Sequence, residues 1–252
     1  NDGFAIMEMN SFSVRRCGVY GLFKTSDGGQ TWDTLATPQG SQIWMMPTQI
    51  DFVTEDIGFV EIYSRDLFKT IDGGATWANI SPDSLGGVGG ESLSFIDEYT
   101  GYYGKDEHLY KTIDGGLTWT TTKSGDILNN FSPTSKYISE VNFYDENNGA
   151  VVISISMTSA PWSGSKVCVT SDGGVTWNIN DDSIYFSNIT KIRQASPTTT
   201  YFLTPFDTLL YRSTDSGLNW EEVNLPVNFI HYVSSFDFRD ENEGYLNSGG
   251  WA

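Results

Sequence analysis

The chain of 252 residues is strongly acidic, with 14 Lys and Arg against 32 Asp and Glu and a formal net charge of −18. A surface of that sign repels phosphate backbones and anionic lipid headgroups, which argues against nucleic acid as a partner and against a membrane-surface role. Hydrophobic residues make up 38% of the sequence, enough for a packed core, and no apolar run approaches the roughly 18 residues of a membrane-spanning helix, so we expect a globular protein without membrane insertion.

Taken in chain order, the sequence predicts two motifs that alternate. A strand, DGFAIM from Asp2, precedes the string KTSDGGQTW. Three further units place an aromatic-rich run, an acidic turn and a Gly ahead of a similar string: DFVTEDIGFVEI before KTIDGGATW, SFIDEYTGYYG before KTIDGGLTW, and NFYDENNGAVVI before VTSDGGVTW. The fifth unit, ITKIRQASPTTTYFLT before RSTDSGLNW, lacks the Gly at its turn, and DFRDENEGYLN ends the series.

The spacing of these units predicts the fold. The aspartates of the five strings are 45, 42, 58 and 43 residues apart, and each unit contains four short strands rich in Val, Ile, Tyr, Phe and Thr. Four strands per repeat of this length are typical of a β-propeller blade. We therefore predict an all-β fold, a single β-propeller domain over residues 1–252 with four-stranded antiparallel blades, five to six of them visible. Because both ends fall inside a repeat, we expect a longer complete protein with six or seven blades.

The residues of the repeated string suit a tight hairpin. An Asp carboxylate can accept a hydrogen bond from the backbone two residues on, and a Gly such as Gly29 or Gly74 allows a positive φ. A Trp five residues after the Asp can pack between neighbouring sheets. Five equivalent copies indicate architecture rather than chemistry. The predicted structural set is Asp27, Trp32, Asp72, Trp77, Asp114, Trp119, Asp172, Trp177, Asp215 and Trp220.

The pattern [ST]-x-D-x-G-x-x-W resembles the Asp-box, or BNR, repeat of sialidases, some xyloglucan-degrading endoglucanases and sortilin-type receptors. Joined to the upstream F-x-D-x-x-x-G-[YF] half, the unit is most similar to the photosystem II stability/assembly factor-like propellers, over nearly the whole chain. This resemblance implies a propeller fold. Plant and cyanobacterial members of that family assist photosystem assembly, and many bacterial relatives are secreted or surface proteins. No residue here indicates photosynthesis.

The order of the strands sorts the loops onto two rims. The acidic turns and the Asp boxes share one rim, and the longer inserts fall on the other, where propellers usually bind ligands. We select four ligand-binding candidates on that loop-rich face: Trp44, Met46, Arg65 and Trp162. An exposed indole there could stack on a sugar or on a partner side chain. The alternative is that each Trp packs its own loop onto the blade below.

The sequence contains no recognisable motif for a catalytic, metal or cofactor site. His108 and His231 are separated by almost three repeats, and Cys17 and Cys168 match no metal-binding spacing and read as buried thiols. A sialidase needs three converging arginines, and its usual Arg-Ile-Pro string is absent. A glycosidase needs two carboxylates about 5–9.5 Å apart, which 32 acidic residues do not single out. We predict no cofactor, no metal and no catalytic residue.

The leading functional hypothesis is a non-enzymatic propeller, extracellular, at the cell surface or periplasmic. It would be a rigid platform that binds a protein or glycan through its loop-rich face. One alternative is a sialidase-like or endoglucanase-like glycoside hydrolase. Another is a propeller module of a larger surface or filament assembly.

Overall fold

The computed structural model describes residues 3–9, 19–38, 47–62, 66–82, 91–123, 127, 135–156, 163–179, 189–204, 209–225 and 233–248. These residues form six antiparallel sheets, which we number as blades 1 to 6. In this part of the chain, no helix has the length and apolarity needed to cross a membrane.

The strands follow one another around the blades in chain order. Blade 1 contains β1 (Gly3–Met9), β2 (Val19–Thr25) and β3 (Asp33–Thr34), and blade 2 contains β4 (Pro47–Phe52), β5 (Gly58–Ile62), β6 (Leu67–Thr70) and β7 (Ala78–Asn79). Blade 3 contains β8 (Glu91–Phe95), β9 (Gly101–Lys105), β10 (His108–Thr112) and β11 (Thr120–Lys123). Blade 4 contains β12 (Ser135–Phe143), β13 (Gly149–Ser156), β14 (Ser163–Thr170) and β15 (Asn178–Ile179). Blade 5 contains β16 (Lys191–Gln194), β17 (Thr200–Thr204), β18 (Leu209–Ser213) and β19 (Glu221–Val223), and blade 6 contains β20 (Val233–Phe238) and β21 (Gly244–Ser248).

This arrangement confirms the predicted all-β propeller. In blades 2 to 5 each strand pairs with its chain neighbour in an antiparallel, four-stranded order. In blade 2, Gly58 begins the second strand, and Gly3 and Gly244 have the equivalent place in blades 1 and 6. Blade 1 therefore contains the second, third and fourth strands of the pattern, and blade 6 contains the first and second.

The core lies between the blades, where aromatic rings stack in pairs. Between blades 2 and 3, the Phe59 and Phe95 rings are parallel with centroids 3.4 Å apart, and Trp119 meets Phe95 edge-on at 6.3 Å. The Lys69 ammonium lies 5.4 Å from the centre of the Phe59 ring. Equivalent stacked pairs at three other joints are Phe4–Phe52, Tyr102–Phe143 and Tyr201–Phe238. Edge-on contacts such as that of Trp119 with Phe95 add to the free energy of burial.

A stacked Phe at the end of a first strand requires a Gly as its partner across the hairpin. Phe52 pairs with Gly58 across the first hairpin of blade 2, and a Cβ on Gly58 would lie 2.6 Å from the Phe52 ring. Blade 5 departs from this rule at both positions together. Gln194 replaces the Phe and Thr200 replaces the Gly, and the Thr200 hydroxyl donates a 2.6 Å hydrogen bond to Gln194. The fifth unit therefore lacks the Gly because it also lacks the ring.

The Asp boxes are closed by hydrogen bonds within each turn. In blade 3 the Thr112 hydroxyl donates to Asp114, the Gly116 amide donates to the Thr112 oxygen, and both the amide and the hydroxyl of Thr118 donate to the Asp114 carboxylate. The predicted hydrogen bond from the amide two residues on is wrong, because the amide that reaches the carboxylate lies four residues on in every copy. Gly116 has the expected positive φ, 92°.

The box tryptophans divide into two kinds. The indole N–H groups of Trp77 and Trp119 donate to carbonyls at the end of the preceding blade, Ala36 and Ile80. The indole N–H groups of the other three donate to the carbonyl of the Gly that lies two residues after the Asp of their own turn. Four of the rings pack against the cores between blades. Trp32 differs, since 39% of its surface remains exposed.

Candidate functional site

The Asp boxes lie on one rim of the propeller together with the acidic turns. The Gly73 amide donates to Asp56 in blade 2, Gly115 to Tyr99 in blade 3, and Gly173 to Asn147 in blade 4. Each box carboxylate is bonded within its own turn, so the five aspartates serve five separate turns. The hydrogen bonds from Thr118 and Thr112 lower the pKa of Asp114 to about 2. We call this surface the box rim.

The four ligand-binding candidates taken from the sequence cannot be placed. Trp44, Met46, Arg65 and Trp162 all lie outside the described residues. Their assignment to the loop-rich face stays a prediction.

The first strands of the blades face the central axis, because β4, β8, β12, β16 and β20 contact one another in sequence. Their polar side chains hold the next first strand. Gln49 accepts from the amide of Leu93 and donates to its carbonyl, at 2.9 and 2.7 Å. One register step along, Asp51 accepts from the Phe95 amide at 3.0 Å. A polar belt thus joins blades around the axis.

The belt continues from blade 3 to blade 5 with different side chains. The Ser94 oxygen accepts from the Phe143 amide at 3.0 Å, and Asn142 accepts from the Gln194 amide at 2.7 Å. At the next joint an arginine, which has no acceptor, takes this register position. Arg193 instead donates from Nε to Asp237 at 2.7 Å, and the belt becomes ionic.

Five charged side chains interact electrostatically near the joint where an ion pair replaces the neutral hydrogen bonds of the belt. The charges of Lys191 and Arg193 on β16 act on Asp51 of blade 2, Glu140 of blade 4 and Asp237 of blade 6. Arg193 and Asp237 are in direct contact at 2.7 Å, and the other three groups share the same electrostatic environment. We call these five residues the channel cluster.

Burial raises the pKa of two carboxyl groups of the channel cluster, whereas the charge of Arg193 lowers the pKa of the third. Burial raises the pKa of Glu140 to about 7, although the nearby cations act against it. Burial also raises the pKa of Asp51. For Asp237 burial acts in the same direction, but the hydrogen bond and charge of Arg193 outweigh it, and the pKa falls below its usual value. Neighbouring carboxyl groups with separated pKa values are typical of functional sites.

Two members of the channel cluster have charged groups that form no hydrogen bond with other described residues. Within the described part of the chain, no hydrogen bond reaches the Glu140 carboxylate or the Lys191 ammonium. They occupy the same register position on adjacent first strands, three residues before Phe143 and Gln194 respectively. In blades 2 and 3 this position holds Gln49 and Ser92, which are bonded to the next strand. The blade 4–5 joint therefore presents an acceptor and a donor to the channel.

Sequence reasoning missed the channel cluster. The sequence did not fix the orientation of Arg193, and Glu140, Lys191 and Asp237 were not singled out. A signal was present, because polar residues alternate with apolar ones in SEVNF, KIRQ and SSFDF immediately before each first turn. Alternation of this kind puts one set of side chains in the core and the other toward the axis.

The remaining reactive groups that the structure describes form no second site of this kind. Burial raises the pKa of the Cys168 thiol to about 12, so it remains protonated and unreactive. The His108 ring lies against Tyr110, with centroids 5.9 Å apart. Among the side chains that the structure describes, no group of three or more His, Cys, Asp and Glu residues could hold a metal ion.

Comparisons with known proteins bear on the fold. No family model and no curated protein matches the chain. Solved structures do: YCF48 bound to a D1 peptide is 14% identical with a TM-score of 0.61, over 91% of this chain and 69% of the other. A Lactobacillus plantarum protein is 11% identical with a TM-score of 0.60, over 98% and 75%. The GH74 xyloglucanase of Xanthomonas campestris is 14% identical with a TM-score of 0.58, over 88% of this chain and 36% of the enzyme.

At these identities the likenesses establish the fold alone. They confirm the resemblance of this β-propeller to YCF48, which the repeat motifs predicted.

Proposed function

We propose that the chain is a non-enzymatic, extracytoplasmic propeller that binds a segment of a partner protein at its central channel, from the loop-rich face. The observation that carries the proposal is the channel cluster, where no hydrogen bond from the described part of the chain reaches the Glu140 carboxylate or the Lys191 ammonium. The belt residues around them are fixed by hydrogen bonds to neighbouring blades, so the site is preorganised and little ordering entropy opposes binding.

A polypeptide suits the chemistry of the cluster. Gln49 bonds both the amide and the carbonyl of Leu93, and Glu140 with Lys191 offers the same acceptor and donor pair two joints further on. A peptide group of a ligand carries the matching N–H and C=O. The propeller fold shared with YCF48, whose structure contains a D1 peptide, supports a protein ligand over a glycan.

The experiment is a peptide-display selection against the full chain. A channel variant, Glu140→Gln with Lys191→Met and Arg193→Gln, is compared with a control variant, Lys123→Met with Glu222→Gln, which changes exposed charges on outer strands. We expect selected peptides to bind wild type and control equally and to lose at least about tenfold in affinity for the channel variant. Peptides that bind the channel variant as tightly, or the recovery of glycans alone from a parallel array, would contradict the proposal.

The extracytoplasmic location rests on composition. A formal charge of −18 with abundant Ser, Thr and Asn is the support for it. Fractionation of the native host, with an antibody against the chain, tests it directly. Recovery of the protein only with cytoplasmic markers would reject this part of the proposal.

One observation favours a glycoside hydrolase as the second candidate. Glu140, with a pKa of about 7, is half protonated at neutral pH, as a general acid must be, and Asp51 lies in the same cluster. The GH74 xyloglucanase shares the fold. Incubation with xyloglucan and with aryl glycosides tests this candidate. Reducing sugar that disappears in the Glu140→Gln variant would support it, and the absence of product from wild type would reject it.

A further inference from the structure

The box rim exposes large apolar side chains that the blades do not use. Between 51 and 82% of the surface of each is accessible to solvent. We call them the rim patch: Ile71, Tyr99, Ile113, Leu117, Tyr144 and Val175. The turn does not require apolar residues, because Ser26 and Gln30 take the places of Ile113 and Leu117 in the box of blade 1.

The turns that carry the rim patch are linked to one another across blades 2 to 4. Lys69, which is two residues before Ile71, donates from Nζ to the carbonyls of Glu98 and Gly115 in blade 3. Gly115 in turn donates to the carbonyl of Tyr99. Lys111 reaches the box of blade 4 at Gly173 in the same way. Hydrogen bonds thus hold the three turns side by side.

A recess opens beside the rim patch, next to Leu117. It has a volume of about 350 Å³ and lies between the end of blade 2 and the box of blade 3. Its lining includes Pro82, Tyr110 and Trp119. An open recess with aromatic rings in its lining can receive an anchor side chain of a protein partner.

The charge around the patch is negative. Acidic turns at Glu55, Glu98 and Glu146 flank it, and hydrogen bonds keep the box carboxylates ionised. Lys69 and Lys111, whose ammonium groups contact carbonyls and ring faces between the blades, offset part of this charge, but the acidic side chains of the three turns and boxes outnumber them. The patch is therefore apolar within an anionic frame.

We propose that the rim patch docks a basic segment of a partner protein, one that alternates Lys or Arg with apolar residues. Charge complementarity selects this occupant. A second copy of the chain, with its own net charge of −18, would be repelled, as would an anionic lipid surface. The longer inserts are predicted on the other rim, so this interaction is separate from the one proposed at the channel, and one chain could connect two partners.

The test uses a fluorescent peptide of alternating Lys and Leu, with a Glu and Leu peptide of equal length and neutral phosphatidylcholine vesicles as further probes. Three forms of the chain are compared by fluorescence anisotropy. A patch variant carries Ile113→Ser, Leu117→Ser and Val175→Ser, a charge variant carries Glu55→Gln, Glu98→Gln and Glu146→Gln, and a control carries Tyr137→Ser, at an exposed apolar residue away from the rim.

We expect the Lys and Leu peptide to bind wild type and the control equally and to lose at least about tenfold in affinity for the patch variant. The charge variant should weaken binding and flatten its dependence on salt. Equal binding to the patch variant, equal binding of the Glu and Leu peptide, or binding of the vesicles would overturn the proposal. The channel variant serves as a cross-check, because it should bind this peptide like wild type.

Discussion

Replacing Gly58 by Ala sets two opposed effects against each other. In a strand, Ala is intrinsically favoured over Gly by about 0.5–1 kcal/mol. Against this, the new Cβ would lie 2.6 Å from the Phe52 ring, well inside van der Waals contact. Phe52 cannot move away, because Phe4 stacks on its other face at 3.4 Å and Trp77 meets it edge-on at 6.2 Å. Overpacking of this kind costs about 1–3 kcal/mol. We expect a net loss of about 1–2 kcal/mol.

Urea denaturation followed by tryptophan fluorescence measures this change. The matched control repeats the substitution in a Phe52→Leu background, which removes the ring atoms that the Cβ would meet. There Gly58→Ala should cost nothing or stabilise slightly, and the double-mutant cycle isolates the coupling. Wild-type or greater stability of Gly58→Ala alone would refute the reasoning, and so would an equal cost in both backgrounds.

Three further predictions follow from burial. Burial raises the pKa of Glu140 from 4.5 to about 7. The protonated carboxyl group therefore contributes to the free energy of unfolding in full below pH 4.5, and this contribution is lost as the pH rises through 7. The loss is on the order of 3 kcal/mol at most, and the pH profile of Glu140→Gln should lack it. In a Cys17→Ser variant, the Cys168 thiol should react with iodoacetamide only after denaturant is added, and rapid native labelling would contradict its burial. Trp119→Ala should cost about 3 kcal/mol and the same change at Trp32 less, as measured by urea midpoints, since Trp32 is the more exposed.

The fold was predictable because each blade repeats a pattern that physics restricts narrowly. A Phe that stacks on the preceding blade excludes a Cβ at its hairpin partner, so the Gly recurs with the Phe. The closure of the box was only partly predictable. Thr118 and its equivalents were visible in every copy, but their role depends on a turn geometry that brings the fourth residue back to the carboxylate.

The channel cluster could not be predicted because it joins residues from blades 2, 4, 5 and 6. Glu140 and Lys191 are 51 positions apart in the chain although they lie on adjacent first strands, and Asp51 interacts with Lys191 only because blades 2 and 5 are arranged around one axis. Periodicity identifies which side of a strand is polar. It does not identify which strand lies across the axis.

The joint between blades 4 and 5 is built differently from its neighbours. At the positions where other joints stack two rings, it has Ala150 and Gln194. Aliphatic contacts and the hydrogen bond from Gln194 to Asn142 hold it instead. The channel cluster straddles this joint, with Glu140 on one side and Lys191 and Arg193 on the other. A bound ligand that touches both sides would join blades 4 and 5 at a joint where the described residues contain no stacked aromatic pair.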